Sequence, residues 1–280
     1  MWWKRRVNAE RKRFAALRAM APEDRAAALG SAAAADWVET AAQYGLVEAQ
    51  VLLGQLHLER RMPKADPVRG VTWFRAAASA GYAPAMNMLG RCLENGWGVA
   101  QDSQAAARWF ARAAEAGLDW GQYNLGCTLL YGSGMPRDRV AAFDWFAQAA
   151  GQGLAKAMNM LGRFHEHGLD RPADLVAAEY WYRRGAEAGD FRARYNVATL
   201  LAQRGERDAA LALFAAAIAE GSPDFLRDAA AALDGSGDAV LQALADRARA
   251  SCTPSSTPSS TMPHQSPYRL DASEPPRLSR

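Results

Sequence analysis

The chain has 280 residues, half of them hydrophobic and 22% charged, with a formal net charge of +3. A surplus that slight does not by itself imply a nucleic-acid partner, and the three cysteines are too few for a disulfide framework. No run of about 18 apolar residues is present, so a membrane-spanning helix is not expected.

In chain order, residues 1–25 carry eight basic side chains against three acidic ones. Trp3, Val7, Phe14 and Leu17 fall near helical spacing. Residues 1–30 are therefore predicted as a basic N-terminal helix that caps the open end of a downstream helical array. Attachment of residues 1–20 to an anionic surface, membrane or nucleic acid, stays open beside that reading. Asn8, Glu10, Arg11, Lys12 and Arg13 stand where a signal peptide needs an apolar core, which points to a cytoplasmic protein.

From residue 31 a 36-residue period takes over: Gly45, Gly81, Gly117, Gly153 and Gly189 are evenly spaced, and Trp37, Trp73, Trp109, Trp145 and Trp181 repeat in step. Fixed-period self-similarity of this kind marks a stacked array. Between Gly81 and Gly117, the spacing of Ala85, Met86, Leu89, Gly90 and Leu93 predicts a first helix, A. Two glycines, Gly96 and Gly98, interrupt it, and Asp102 stands in the N-cap position of a second helix, B. On helix B, Ala106, Trp109, Phe110, Ala113 and Ala114 form one apolar face. The tryptophans Trp73, Trp109, Trp145 and Trp181 are expected in the core, and the residues lacking bulk on helix A suit a close helix crossing.

The copy ending at Gly81 has Arg60-Arg61-Met62-Pro63 where its neighbours have loop glycines, and the copy ending at Gly189 has Gly168-Leu169-Asp170-Arg171. After Gly189 four loop residues are missing and Leu213-Phe214 replaces Trp-Phe. The array is thus predicted over 31–221. Residues 223–233 and 238–250 are expected to form a capping pair within 222–250. Residues 251–280, rich in Ser, Thr and Pro, hold too little apolar surface to offset the entropy of ordering them and are expected to be disordered.

The column Ala85, Leu89-Gly90, Leu93, Gly96, Gly98-Val99, Asp102, Ala106, Trp109, Ala113-Ala114 and Gly117 resembles the Sel1-like repeat, a subgroup of tetratricopeptide-type repeats, over roughly Trp37 to Gly221. The resemblance implies an all-α, right-handed solenoid of stacked helix pairs with scaffold or adaptor roles. It also implies that A helices line a concave surface binding a protein or peptide partner. Carried over by position, the inward candidates are Asn87 and Arg91, Tyr123 and Asn124, Asn159 and Arg163, and Tyr195 and Asn196. Amides can satisfy a peptide backbone, arginines its carboxylates and tyrosines its apolar side chains. The competing reading of the asparagines is structural, as bonds between adjacent A helices.

Candidates for chemistry fail one by one. His165 and His167 are two apart, not the four that put two zinc ligands on one helix face. His165 takes the phase of Leu93 and Leu129 and is expected at the core edge. Cys92 and Cys127 have no local activator and are expected as packed thiols. The glycine loops match neither a P-loop nor a nucleophile elbow. Trp97 and Trp120 lack counterparts in other copies and are candidate exposed anchors or loop packing. No cofactor, metal site or enzyme is expected. Two alternatives stay open: a surface-attached regulator using the basic N-terminus, and an enzyme resembling exported Sel1-like proteins that bind cell-wall compounds, which staple each helix pair with regularly spaced cysteines absent here.

Overall fold

The computed structural model describes residues 35–62, 64–234 and 238–251; the basic helix expected over 1–30, Cys252 and the Ser/Thr/Pro-rich tail lie outside the described residues. Among the described residues there are thirteen helices and no strand. They divide into two compact units, one holding residues up to 121 together with 132–136, the other holding 122–131 and the chain from 137 onward.

The first unit contains α1 (Ala35–Gln43), α2 (Val47–Leu58), α3 (Pro67–Ser79), α4 (Ala83–Asn95) and α5 (Ser103–Glu115). Helix α6 (Asp119–Tyr131) starts in it and continues in the second, which adds α7 (Arg139–Gly151), α8 (Ala155–Glu166), α9 (Leu175–Glu187), α10 (Phe191–Gln203), α11 (Arg207–Glu220), α12 (Pro223–Leu233) and α13 (Ala239–Ser251). In both units an A helix packs on the B helix that follows it, α2 on α3, α4 on α5, α8 on α9 and α10 on α11. The stacked helix pairs are those the 36-residue period predicts. Helix α12 packs on α13 in turn.

The B helices α3, α5, α7 and α9 start where an aspartate dictates, whereas α11 follows Glu206 with no side-chain cap. Asp102 accepts from the Ala105 N–H at 2.8 Å and Asp138 from the Ala141 N–H at 2.9 Å, while Asp66 and Asp174 cap α3 and α9 in the same way. Each cap satisfies one of the donors that a helix start leaves unbonded.

The core differs from the sequence expectation at its largest residue. Trp73, Trp109, Trp145 and Trp181 are half-buried, whereas the aromatic one position on, Phe74, Phe110, Phe146 or Tyr182, is sealed completely. One residue of rotation along a helix is about 100°, enough to move a side chain from the core to its margin. The glycine of the preceding A helix is the seat of that buried ring: a Cβ on Gly90 would lie 2.6 Å from Phe110, and one on Gly126 would lie 2.8 Å from Phe146. Gly54 with Phe74 and Gly162 with Tyr182 repeat the arrangement. The missing bulk on helix A thus admits a ring from helix B. The tryptophans cover the edge, Trp109 with the Arg112 guanidinium 4.4 Å from its ring.

The inter-helix loops lock one pair to the B helix before it. Gly98 takes φ +66°, and a Cβ there would overlap the carbonyl of Pro67 in the first turn of α3. Gly134 repeats the approach at Ser103, the first residue of α5. In the next copy Asp170 stands at that phase, keeps the left-handed backbone at φ 57°, and lies 3.8 Å from Arg139, the first residue of α7. A close backbone contact has been exchanged for an ion pair at the same place. In the copy that lost its glycines, Arg60 still holds φ 56°, the conformation Gly96 adopts at φ 71°.

Candidate functional site

The eight inward candidates divide between the two units. In the first, Asn87 is buried in α4 and Arg91 is half-buried one turn on, its guanidinium 5.1 Å from the centre of the Trp97 ring. Burial holds the Arg91 pKa below its ordinary value, against the raising effect of Glu94. Trp97 is half-buried under that cation and Trp120 is half-buried at the start of α6, so neither stands out as an exposed anchor.

In the second unit, Tyr123 and Asn124 are buried on α6. The Tyr123 hydroxyl shares a hydrogen bond with the Cys127 thiol, and its ring lies 5.7 Å from Phe146; burial, then Cys127, pushes its pKa well above the phenolic range. On α8, Asn159 is 5% exposed and Arg163 is half-buried. On α10, Asn196 donates from Nδ2 to Asn159 Oδ1 at 2.9 Å, a bond between side chains 37 residues apart. Tyr195 packs edge-on against Phe214 at 4.8 Å and Phe225 at 5.5 Å, and burial raises its pKa. Asn159 and Asn196 are thus brought together as a ladder rung between A helices, the geometry of the structural reading of these amides. Arg163 keeps one solvent-shielded nitrogen, Nη1, with no hydrogen-bond partner among the described residues.

Two buried polar residues beside this strip escaped the sequence reading. Gln122 accepts from Gln152 Nε2 at 2.8 Å, and Thr199 donates to the Tyr195 carbonyl at 3.1 Å. Gln122 stands at the phase of Met86 and Met158, and an amide in an apolar column was the available signal.

Asp190 caps α10, accepting from the Ala193 N–H at 2.7 Å, and is almost fully buried. Burial raises its carboxyl pKa, opposed by the Ala193 bond, Arg192 and Lys156. A carboxyl whose folded pKa is raised takes up its proton more readily in the folded chain, so its stabilising share is complete at low pH and is lost as pH rises through the folded value. Asp190→Asn keeps a capping oxygen and removes the buried charge. The variant is expected to melt higher than the parent at pH 7, with the gap closing toward pH 4. Calorimetry across that range checks the sign, and a gap that widens on acidification refutes it.

No enzyme-like constellation forms among the described residues. No three His, Cys, Asp or Glu side chains converge there as a metal site. His165 is half-buried, edge-on to Phe143 at 5.7 Å, and burial followed by Arg171 lowers its pKa. Cys92 and Cys127 are buried thiols outside any disulfide, and burial pushes Cys92 up to about 12, far from a reactive thiolate. Among the described residues no helix is long and apolar enough to cross a membrane.

Helix pairs on a 36-residue period, each with an aspartate cap and most with an aromatic seated on the glycine of the helix before it, define an all-α repeat protein of the solenoid class. The Sel1 repeat matches at residues 47–82, 83–118, 121–154 and 155–190, together just over half of the chain, which belongs to the Sel1 repeat family. A Sel1 repeat protein from Oxalobacter formigenes is 24% identical with a TM-score of 0.64, over 75% of this chain and 88% of its own. A protective antigen of uropathogenic Escherichia coli strains with an SLR fold is 26% identical with a TM-score of 0.61; the match covers 77% of this chain, which spans only 48% of that protein. An immunity protein of Pseudomonas aeruginosa shares the fold at 16% identity with a TM-score of 0.52, over 72% of this chain and 80% of its own. No curated protein matches the sequence. Sel1 repeat proteins generally act as protein-interaction scaffolds and are generally non-catalytic.

Proposed function

We propose that this chain is a non-catalytic scaffold that binds a peptide or an extended partner segment through the inward faces of its A helices. The candidate residues are Asn87 and Arg91 in the first unit, and Tyr123, Asn124, Asn159, Arg163, Tyr195 and Asn196 in the second. The observation that carries the reading is Arg163, which is half-buried on α8 one turn on from the Asn159 amide. Its cation can form a charge-assisted bond with a carboxylate of the partner. The buried amides align the strip, and the half-buried Arg163, Asn196 and Tyr195 meet the partner. Residence in the cytoplasm belongs to the same proposal.

The test captures partners on the full chain and on an Arg91→Glu, Arg163→Glu variant that matches it in circular dichroism and melting. Loss of a partner in the variant supports the strip; undiminished capture refutes it. An Asn87→Ala, Asn159→Ala pair that loses stability but still captures the partner assigns those two amides to the ladder alone.

A further inference from the structure

Seven large hydrophobic side chains are exposed among the described residues, and three of them, Leu175, Val176 and Tyr180, fall within six residues at the start of α9. Val176 is 79% and Tyr180 54% exposed. Val176, Tyr180 and Arg184 follow a four-residue spacing, which lines them up on one side of the helix. Trp181, half-buried, stands edge-on to Tyr180 at 5.2 Å. The Arg184 guanidinium lies 5.8 Å from the Tyr180 ring centre and 5.6 Å from that of Trp181, and its Nη1 donates to the Tyr180 hydroxyl at 3.3 Å.

Two of the charges on this helix, Glu179 and Arg183, are paired with each other. Glu179 binds both Arg183 and Arg204, which holds its pKa below the usual carboxylate range. Arg184 has no carboxylate within ion-pair distance among the described residues, although Glu187 follows three positions later. It rests instead on the two aromatic rings, an exposed cation backed by apolar surface.

An exposed valine recurs at the phase of Val176, as Val68 and Val140, but Leu175 and Tyr180 have no apolar counterpart of their kind exposed in the other copies. At the phase of Tyr180 the other copies have Thr72, Arg108 and Asp144, all exposed, and at the phase of Leu175 they have Pro67, Ser103 and Arg139. The same backbone is therefore built without apolar bulk at the phase of Tyr180. Exposed apolar residues gathered in one place and rimmed by polar ones are the kind of surface that interaction sites use.

We infer that the outer face of α9 docks an acidic, apolar segment of a partner protein, whose apolar side chains cover Val176 and Tyr180 and whose carboxylate binds Arg184. Tyrosine, tryptophan and arginine are the residue types that most often carry interface energy. An anionic lipid surface fits less well, because Glu179 and Glu187 stand on the same helix and Arg184 alone of its arginines named here is left without a carboxylate. This surface is independent of the inward strip.

A displayed library of twelve-residue peptides selected on the full chain tests it, with the winners synthesised and titrated by fluorescence anisotropy. The comparison is a Tyr180→Thr, Arg184→Ala variant, which takes its threonine from position 72, and a Val68→Gln control on another exposed valine. The expected winners combine Asp or Glu with apolar residues, bind at least ten-fold more weakly to the double variant, and bind the control like the parent. Winners lacking acidic residues, equal binding to the double variant, or no winners at all overturn the inference. So does binding to phosphatidylcholine/phosphatidylserine vesicles that the double variant abolishes while peptide binding is absent.

Discussion

Phe146→Ala is expected to cost about 3–5 kcal/mol, the range for emptying a buried aromatic site, and Trp145→Ala beside it clearly less. Phe146 is sealed from solvent. Its ring fills the space over Gly126, lies 5.7 Å from Tyr123 and 5.9 Å from Phe164, and so joins α7 to α6 and α8. Removing it leaves a cavity that no neighbour can fill without moving a helix, because the facing residue is a glycine. Trp145 is half-buried, so much of its area is in water already. Urea denaturation of both variants measures the difference. If Trp145→Ala proves the costlier, the tryptophan is the core residue and the seat over Gly126 is incidental.

The period, helix pairs and aspartate caps were legible in the sequence, because each rests on local chemistry that recurs at one phase. The Trp-Phe dipeptide was ambiguous, since both aromatics fit an apolar helical stripe and only three-dimensional packing decides which one is sealed. Gly126 carries the deciding fact, a helix surface without a side chain where a ring can sit. Its spacing along the chain does not say whether Trp145 or Phe146 takes that seat.

The site was legible only as a column of inward positions. That Asn159 turns to Asn196, that Tyr195 packs on Phe214 and that Arg91 lies over Trp97 are side-chain choices that depend on partners outside their own helix. The face of α9 was hidden for another reason: its signal is a departure from the repeat at Tyr180, and reading for the period draws attention to what recurs.

Gly98→Ala is the second substitution with a large expected effect, and Gly96→Ala is its natural control. Both glycines take the left-handed backbone, at φ +66° and +71°. That conformation costs an alanine roughly 1–2 kcal/mol. At Gly96 the nearest atom to an added Cβ is 3.6 Å away, the Val99 carbonyl oxygen, so the conformational cost is the whole effect. At Gly98 the methyl would also overlap the Pro67 carbonyl and lie 2.9 Å from the Val68 nitrogen, both backbone atoms in the first turn of α3. Neither can swing aside as a side chain would. Either the loop lifts or the start of α3 shifts, and the Asp66 cap on Val68 is strained with it. The expected loss is therefore above about 2 kcal/mol for Gly98→Ala and nearer ~1 kcal/mol for Gly96→Ala. Hydrogen exchange adds a spatial check: only Gly98→Ala is expected to speed exchange at the start of α3, a helix that ends at Ser79, well before the mutated position. Equal losses at the two glycines would mean that the loop accommodates the methyl freely, and that contact between the loop and the preceding B helix adds nothing to the cohesion of neighbouring repeats.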